Sequence, residues 1–278
     1  MSPKPSRIRK QLGAELRVAR KLAGLNQETL ADLLEVAQPT ISRIESGTGP
    51  LLWRDQVTDW LNECSAPPDL HERAQTLLQA AHAETRPYPE LVEGGHLQAD
   101  VLIEERDARL IRSCQLVCVP GLLQTAEYTR LFIPQLDPTG TWDPAASAAA
   151  RMERQRILYE PGRRFEFLIS DSALLWSPGP GVMPAQLNHI ASLATLASVE
   201  IGVLPVRREG APAWESFTYT VPKGDGPIVV TSELLGGRWQ ASDPAVVEQY
   251  ARVWSELREA SLQGEDAIAL IRRIADGT

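Results

Sequence analysis

The chain of 278 residues holds three cysteines and four histidines, and their placement says more than their number. Cys64, Cys114 and Cys118 are odd in number, form no CxxC and have no histidine cluster beside them, which argues against a disulfide framework or a metal site. Cys114 and Cys118 fall on one face of an expected strand and read as small buried hydrophobes. His71, His82, His96 and His189 are scattered and make no HExxH, and no GxSxG is present. Ser177-Pro-Gly-Pro-Gly181 has no following Lys-Ser/Thr to hold phosphate or magnesium, so it reads as a turn-forming loop. Ser170-Asp171-Ser172 follows a strand and reads as the cap of the next turn. No catalytic residue, metal or cofactor is expected. No apolar run approaches the ~18 residues of a membrane helix. The opening MSPKPSRIRK has basic residues without an apolar core behind them, so a cytoplasmic protein with no membrane partner is expected. No internal repeat or low-complexity tract interrupts the chain.

What is present begins between Leu25 and Gly47, in LNQETLADLLEVAQPTISRIESG. Asn26 can accept from the free amides of a helix starting at Gln27, and Leu30, Ala31, Leu33 and Leu34 supply that helix with an apolar face. A turn at Glu35-Val36-Ala37 ends it. Pro39 suits the first turn of a second helix, where a missing donor costs little, and Ile41 and Ile44 can face the first helix. Gln38, Thr40, Ser42 and Arg43 are left on the outer side. Glutamine can pair with both edge atoms of adenine and arginine with both acceptors of guanine in the major groove. A preceding helix carries Ile8, Leu12, Leu16 and Ala19 and ends at Gly24; a fourth carries Leu52, Val57, Trp60 and Leu61.

The LNQ opening, QPTISRIESG and the preceding arginine-containing helix resemble the helix-turn-helix domain of the lambda-repressor and Cro-like, or XRE, family over about residues 6 to 63. The resemblance implies double-stranded DNA as partner, with Gln38, Thr40 and Arg43 reading bases and Asn26, Gln27 and Ser46 touching phosphates. It implies an ion pair between Arg20 and Glu45 that ties the first helix to the third, and a homodimer on a two-fold operator. We expect the dimer contacts beyond residue 66. Ala37 departs from the family, which often has Ser or Thr there.

The formal charge of −8 divides unevenly. Residues 1–49 hold 8 Lys or Arg against 5 Asp or Glu, a net +3, and residues 50–278 hold 20 against 31, a net −11. A cationic DNA-facing end joined to an acidic body fits that split. Three segments are expected: a DNA-binding domain at 6–65, a helix (68–84) and linker at 66–99, and a regulatory or partner-binding domain at 100–278. The expected fold class is α+β overall, an all-α head before an α+β domain with a small mixed sheet.

In that second domain the pattern predicts a helix over 102–110, a strand over 113–119, helices over 122–132 and 145–159, and a strand-helix-strand unit from Phe165 to Val203. RMERQR is placed on the wet side of its helix. A β-hairpin across residues 223–227 and two closing helices, 244–261 and 265–275, complete the list. VPGLLQT offers either a ligand or partner seat or a structural corner. Trp142, Trp176, Trp214 and Trp239 stand beside loops, as contact anchors or core edges.

VPGLLQTAEYTR at 119–130, RMERQRIL at 151–158, FEFLISDSALLW at 165–176, QLNHIASLA at 186–194 and VEIGVLPV at 199–206 resemble a domain found behind helix-turn-helix units in many actinobacterial regulators. Such relatives are often encoded beside a very short protein and are called antitoxin-like, which implies a small protein partner and not an enzyme. Ala81-His82-Ala83-Glu84 departs from the paired aromatics that relatives carry there. The expected function is a sequence-specific DNA-binding transcriptional regulator whose C-terminal domain senses a signal or binds a small protein. The alternatives are an antitoxin-like protein devoted to that partner, and an enzyme with a DNA-binding domain attached.

Overall fold

The computed structural model describes residues 7–49, 52, 54–87, 105–137, 140, 142–207, 209–210, 212–234 and 237–277. The expected loose segment 1–6, the linker 88–99, Pro50 and the start of the helix expected at 102 lie outside these residues. The chain forms two compact units, Met1–Glu84 and Thr85–Thr278.

The first unit is helical: α1 (Arg7–Leu22), α2 (Gln27–Leu33), α3 (Gln38–Glu45), α4 (Arg54–Glu63) and α5 (Pro68–His82). Its caps are local. Asn26 accepts from Thr29 N at 2.8 Å and starts α2, whereas Ala37 gives α3 no side-chain cap. Glu35 sits between the two helices at φ 54, a left-handed conformation normally given to glycine. Leu16, Leu30, Ile41, Val57, Trp60 and Leu61 form the core, with Leu70, Ala74 and Leu78 of α5 in the same cluster. The helical unit therefore runs to Glu84, not to 65, because the apolar face of α5 is buried here. Trp60 is core, its indole donating to Leu16 O at 3.1 Å.

The second unit contains most of a mixed sheet of order β1-β7-β6-β5-β2-β3-β4. Its strands are β1 (Ala83–Pro87) at one edge, β2 (Ala108–Gln115), β3 (Arg164–Ser170), β4 (Val199–Leu204), β5 (Phe217–Pro222), β6 (Val229–Leu234) and β7 (Gly237–Ala241). β2, β3 and β4 are parallel, and β5, β6 and β7 continue antiparallel from the other side of β2. Helices cover both faces. On one, Phe165, Phe167, Ile169 and Ile201 pack with residues of α6 (Ala126–Leu136), α8 (Asp171–Leu175), α9 (Met183–Leu193) and α11 (Gly264–Ala275). On the other, Leu168, Phe217, Tyr219 and Val230 meet Val247, Trp254 and Leu257 of α10 (Pro244–Glu259). The α7 helix (Pro144–Arg154) follows α6.

Several expectations are corrected. β2 begins at Ala108, inside the helix expected to end at 110, and stops at Gln115 before Cys118, because it takes its register from β3 and β5 together. The helix expected from 122 is broken. A 3-10 turn at Gly121–Leu123 precedes α6, which Thr125 caps by accepting from Tyr128 N at 3.2 Å. β7 was not anticipated. Ser170 does cap α8, accepting from Ala173 N at 3.0 Å.

The largest correction concerns RMERQR, since Arg151, Arg154 and Gln155 are buried. They hold the VPGLLQT corner from beneath. Gln124 donates to Val119 O at 2.8 Å and its Oε1 accepts from Thr129 Oγ1 at 3.1 Å and from Arg151 Nη1. Gln155 donates to Gln124 O at 2.6 Å. Gln186 of α9 donates to Leu123 O and accepts from Thr125 N, both at 2.7 Å. Arg154 makes a two-pronged pair with Glu105 at 2.8 and 2.5 Å. Val119 O, Leu123 O, Gln124 O and Thr125 N of the corner thus each meet a glutamine, and Val119 N meets the Tyr128 hydroxyl, as buried polar groups require.

Candidate nucleic-acid interface

The α3 helix is amphipathic by its own spacing. Ile41 and Ile44 are buried, each worth about 1.5–3 kcal/mol, while Gln38, Ser42 and Arg43 are exposed and Thr40 is half-buried. α1 fixes its height. A Cβ on Gly13 would come 2.5 Å from Ile44 O and 2.7 Å from Glu45 O, so α1 crosses the end of α3 at backbone contact. Gly47, at φ +75, turns the chain away from α3, and a Cβ placed on it would come 2.9 Å from Lys10 N.

Below the exposed face runs a chain of hydrogen bonds. Arg20 donates to Glu45 through Nε at 2.5 Å and Nη2 at 2.9 Å, and its Nη1 donates to Leu25 O at 2.8 Å. The Glu45 carboxylate raises the Arg20 pKa above its ordinary value, against the pull of burial. Gln27 Nε2 donates to Glu45 Oε2 at 2.8 Å, and Gln38 Nε2 donates to Gln27 Oε1 at 2.8 Å. The first residue of the exposed helix is therefore linked, through one glutamine, to the buried pair that joins α1 to α3. Pattern reading placed Gln27 at the surface and missed this bridging, since no spacing rule joins positions 27, 38 and 45.

Asn26 is exposed, its Oδ1 occupied by the α2 cap. Ser46 ends α3, donating to Arg43 O at 2.9 Å and lying 2.8 Å from the Thr48 hydroxyl. Arg43 extends into solvent with no side-chain hydrogen bond to the described residues. Asn26, Gln27, Gln38, Thr40, Arg43 and Ser46 thus all belong to the α2–α3 hairpin and its flanks. The whole helical unit holds 10 basic against 11 acidic residues, so the positive charge is confined to its first 49 residues.

Elsewhere the thiols are quiet. Burial pushes both Cys64 and Cys118 up to about 11, so neither is a thiolate at neutral pH. Trp176 packs edge-on against Tyr128 and Phe132, and Trp239 lies against Tyr250, whereas Trp214 is 83% exposed. Among the described residues no helix is long and apolar enough to cross a membrane.

Comparison with protein families gives two matches. A helix-turn-helix domain covers residues 11–74, and a domain of unknown function, DUF5753, covers residues 98–273. No curated protein matches the chain. With a helix-turn-helix domain in front and the second match spanning more than half its length, the chain belongs to the DUF5753 family.

Proposed function

We propose that the protein is a sequence-specific transcriptional regulator of the XRE type that reads duplex DNA with α3, acts as a homodimer, and uses its C-terminal unit to sense a signal or hold a small partner. One observation carries the reading: α3 presents Gln38 and Arg43 outward while Gln38 is held by Gln27, which Glu45 anchors in turn. A base-reading amide gains from being positioned before DNA arrives, because less side-chain freedom is lost on binding. Asn26 keeps its amide hydrogens for a phosphate, and Gln27 keeps the second hydrogen of its amide. One short helix reads few base pairs, and pairing two copies supplies the missing discrimination. The body carries the signal and not a reaction, and the protein works in the cytoplasm beside its operator.

The test is selection of a preferred site from random duplexes, followed by titration of Arg43→Ala. Loss of about 1–3 kcal/mol on that site, with one base position relaxed, is expected. Unchanged affinity and unchanged preference would remove α3 from the reading role.

A further inference from the structure

The large apolar side chains that the body exposes are not scattered. Among its described residues they are Val117, Leu136, Tyr159, Leu175, Val206, Trp214 and Leu234, and five of these seven stand at one end of the sheet. Strand direction brings them there. β2, β3 and β4 run parallel, β5 runs against them and β6 runs with them again, so the carboxyl ends of β2, β3, β4 and β6 share one edge with the amino end of β5. Val117 and Val206 lie two residues beyond β2 and β4, and Leu175 closes α8, which follows β3 directly. Trp214 lies three residues before β5, and Leu234 ends β6. Five neighbouring strands thus contribute one exposed apolar side chain each, from 43% exposure at Leu234 to 83% at Trp214. Strands about 4.8 Å apart make this rim about 19 Å across.

The segments that carry the rim are tied to one another. Ser170 donates to Leu116 O at 2.7 Å, Leu116 N donates to Ser216 Oγ at 3.0 Å, and Ser232 donates to Ser216 O at 2.8 Å. Val206 N donates to Asp171 at 2.9 Å. A rim held in this way has little loop freedom to lose when it is covered.

Its charges fit a contact with its own kind. Residues 85–278 hold 18 Lys or Arg against 25 Asp or Glu, a net −7, so two copies of the body repel wherever their acids face each other. At the rim the acids are engaged internally: Asp171 by the Val206 amide, Glu215 by the Tyr250 hydroxyl and Glu233 by Arg238 at 3.6 Å. Of the other described charges there, Arg207 and Glu209 are exposed and opposite in sign. A cationic partner would find little free acid here. The area also suits a second copy. Trp214 is of a type that covers about 150–250 Å², and with four aliphatic side chains beside it the rim supplies the apolar part of the about 800 Å² per partner that a standard interface buries.

We infer, on the basis of the homodimer proposed above, that this rim is where the second copy docks, as a two-fold contact centred on Trp214. The same patch then serves both copies.

The experiment is sedimentation equilibrium of the full chain, unaltered and with Trp214→Asp or Trp214→Lys. The Trp214 side chain lies in solvent, so neither change disturbs the core. The unaltered chain should dimerise, and each variant should raise the dissociation constant roughly thirtyfold or more, as at an aromatic hot spot. An equimolar mixture of the two variants should dimerise better than either alone, because like charges no longer meet across the axis. Tyr159→Asp, before the amino end of β3, should dimerise as the unaltered chain does. Unchanged association of both Trp214 variants removes the rim from the interface and leaves the homodimer standing. A mixture no better than its components overturns the two-fold pairing, and a monomeric unaltered chain at high micromolar concentration overturns the homodimer itself.

Discussion

In the helical unit Arg20 is buried against a carboxylate that takes two of its hydrogen bonds, whereas in the body Arg151 is equally buried against a neutral amide. The exposures are 7% and 9%, so burial does not separate them; the counter-charge does. Arg20 has Glu45 because α1 and α3 must keep one spacing for α3 to present Gln38 and Arg43. Two arginines of nearly equal burial thus differ in what faces them, a carboxylate in one unit and an amide in the other.

The contrast can be broken most severely at Glu45. Glu45→Ala strands Arg20 in the interior and releases Gln27, and should cost about 3–5 kcal/mol, read as a lower melting temperature of the first unfolding transition. An unchanged transition would mean that Arg20 reaches water. Gly13→Ala attacks the same α1–α3 contact without touching charge. A methyl 2.5 Å from a backbone carbonyl forces the helices apart, for about 1–3 kcal/mol by denaturant titration.

Arg151→Met sharpens the other half. If the Arg151 charge is uncompensated, replacing it with an apolar chain of similar length should leave stability within about 1 kcal/mol or raise it. Gln124 Oε1 still accepts from Thr129 in that variant. A loss as large as that of Glu45→Ala would erase the distinction between the two arginines.

The smallest effect belongs to His189 of α9, whose Nε2 is buried without a partner and whose pKa burial lowers from its ordinary value. On acidification the unfolded chain takes up this proton first, so the native state is unaffected above about pH 6.5 and loses stability below it. Melting temperatures of the unaltered protein and His189→Asn should converge between neutral pH and about pH 5. Parallel curves would place the imidazole in solvent.

Local chemistry carried much of this fold. Asn26, Pro39 and Gly24 punctuate α1 to α3 without help from distant residues, and the 217–233 hairpin followed from two alternating runs across a glycine-containing turn. The misreadings share one cause. In α7 the small side chains are alanines, so the face with Arg151 and Arg154 resembled a solvated one, and only the VPGLLQT corner above it gave those side chains buried partners. β7 is five residues with a weak pattern and exists because β6 offers it an edge.

The sequence by itself determined the helix-turn-helix, its caps and the residue types on its outer face, because capping, turn geometry and amphipathic spacing act over a few residues. Tertiary structure alone decided that α5 joins that unit's core and that Gln27 links Gln38 to Glu45. It also decided that Arg20 would be neutralised and Arg151 left facing an amide, since a buried charge is defined by what other segments bring within about 4 Å of it.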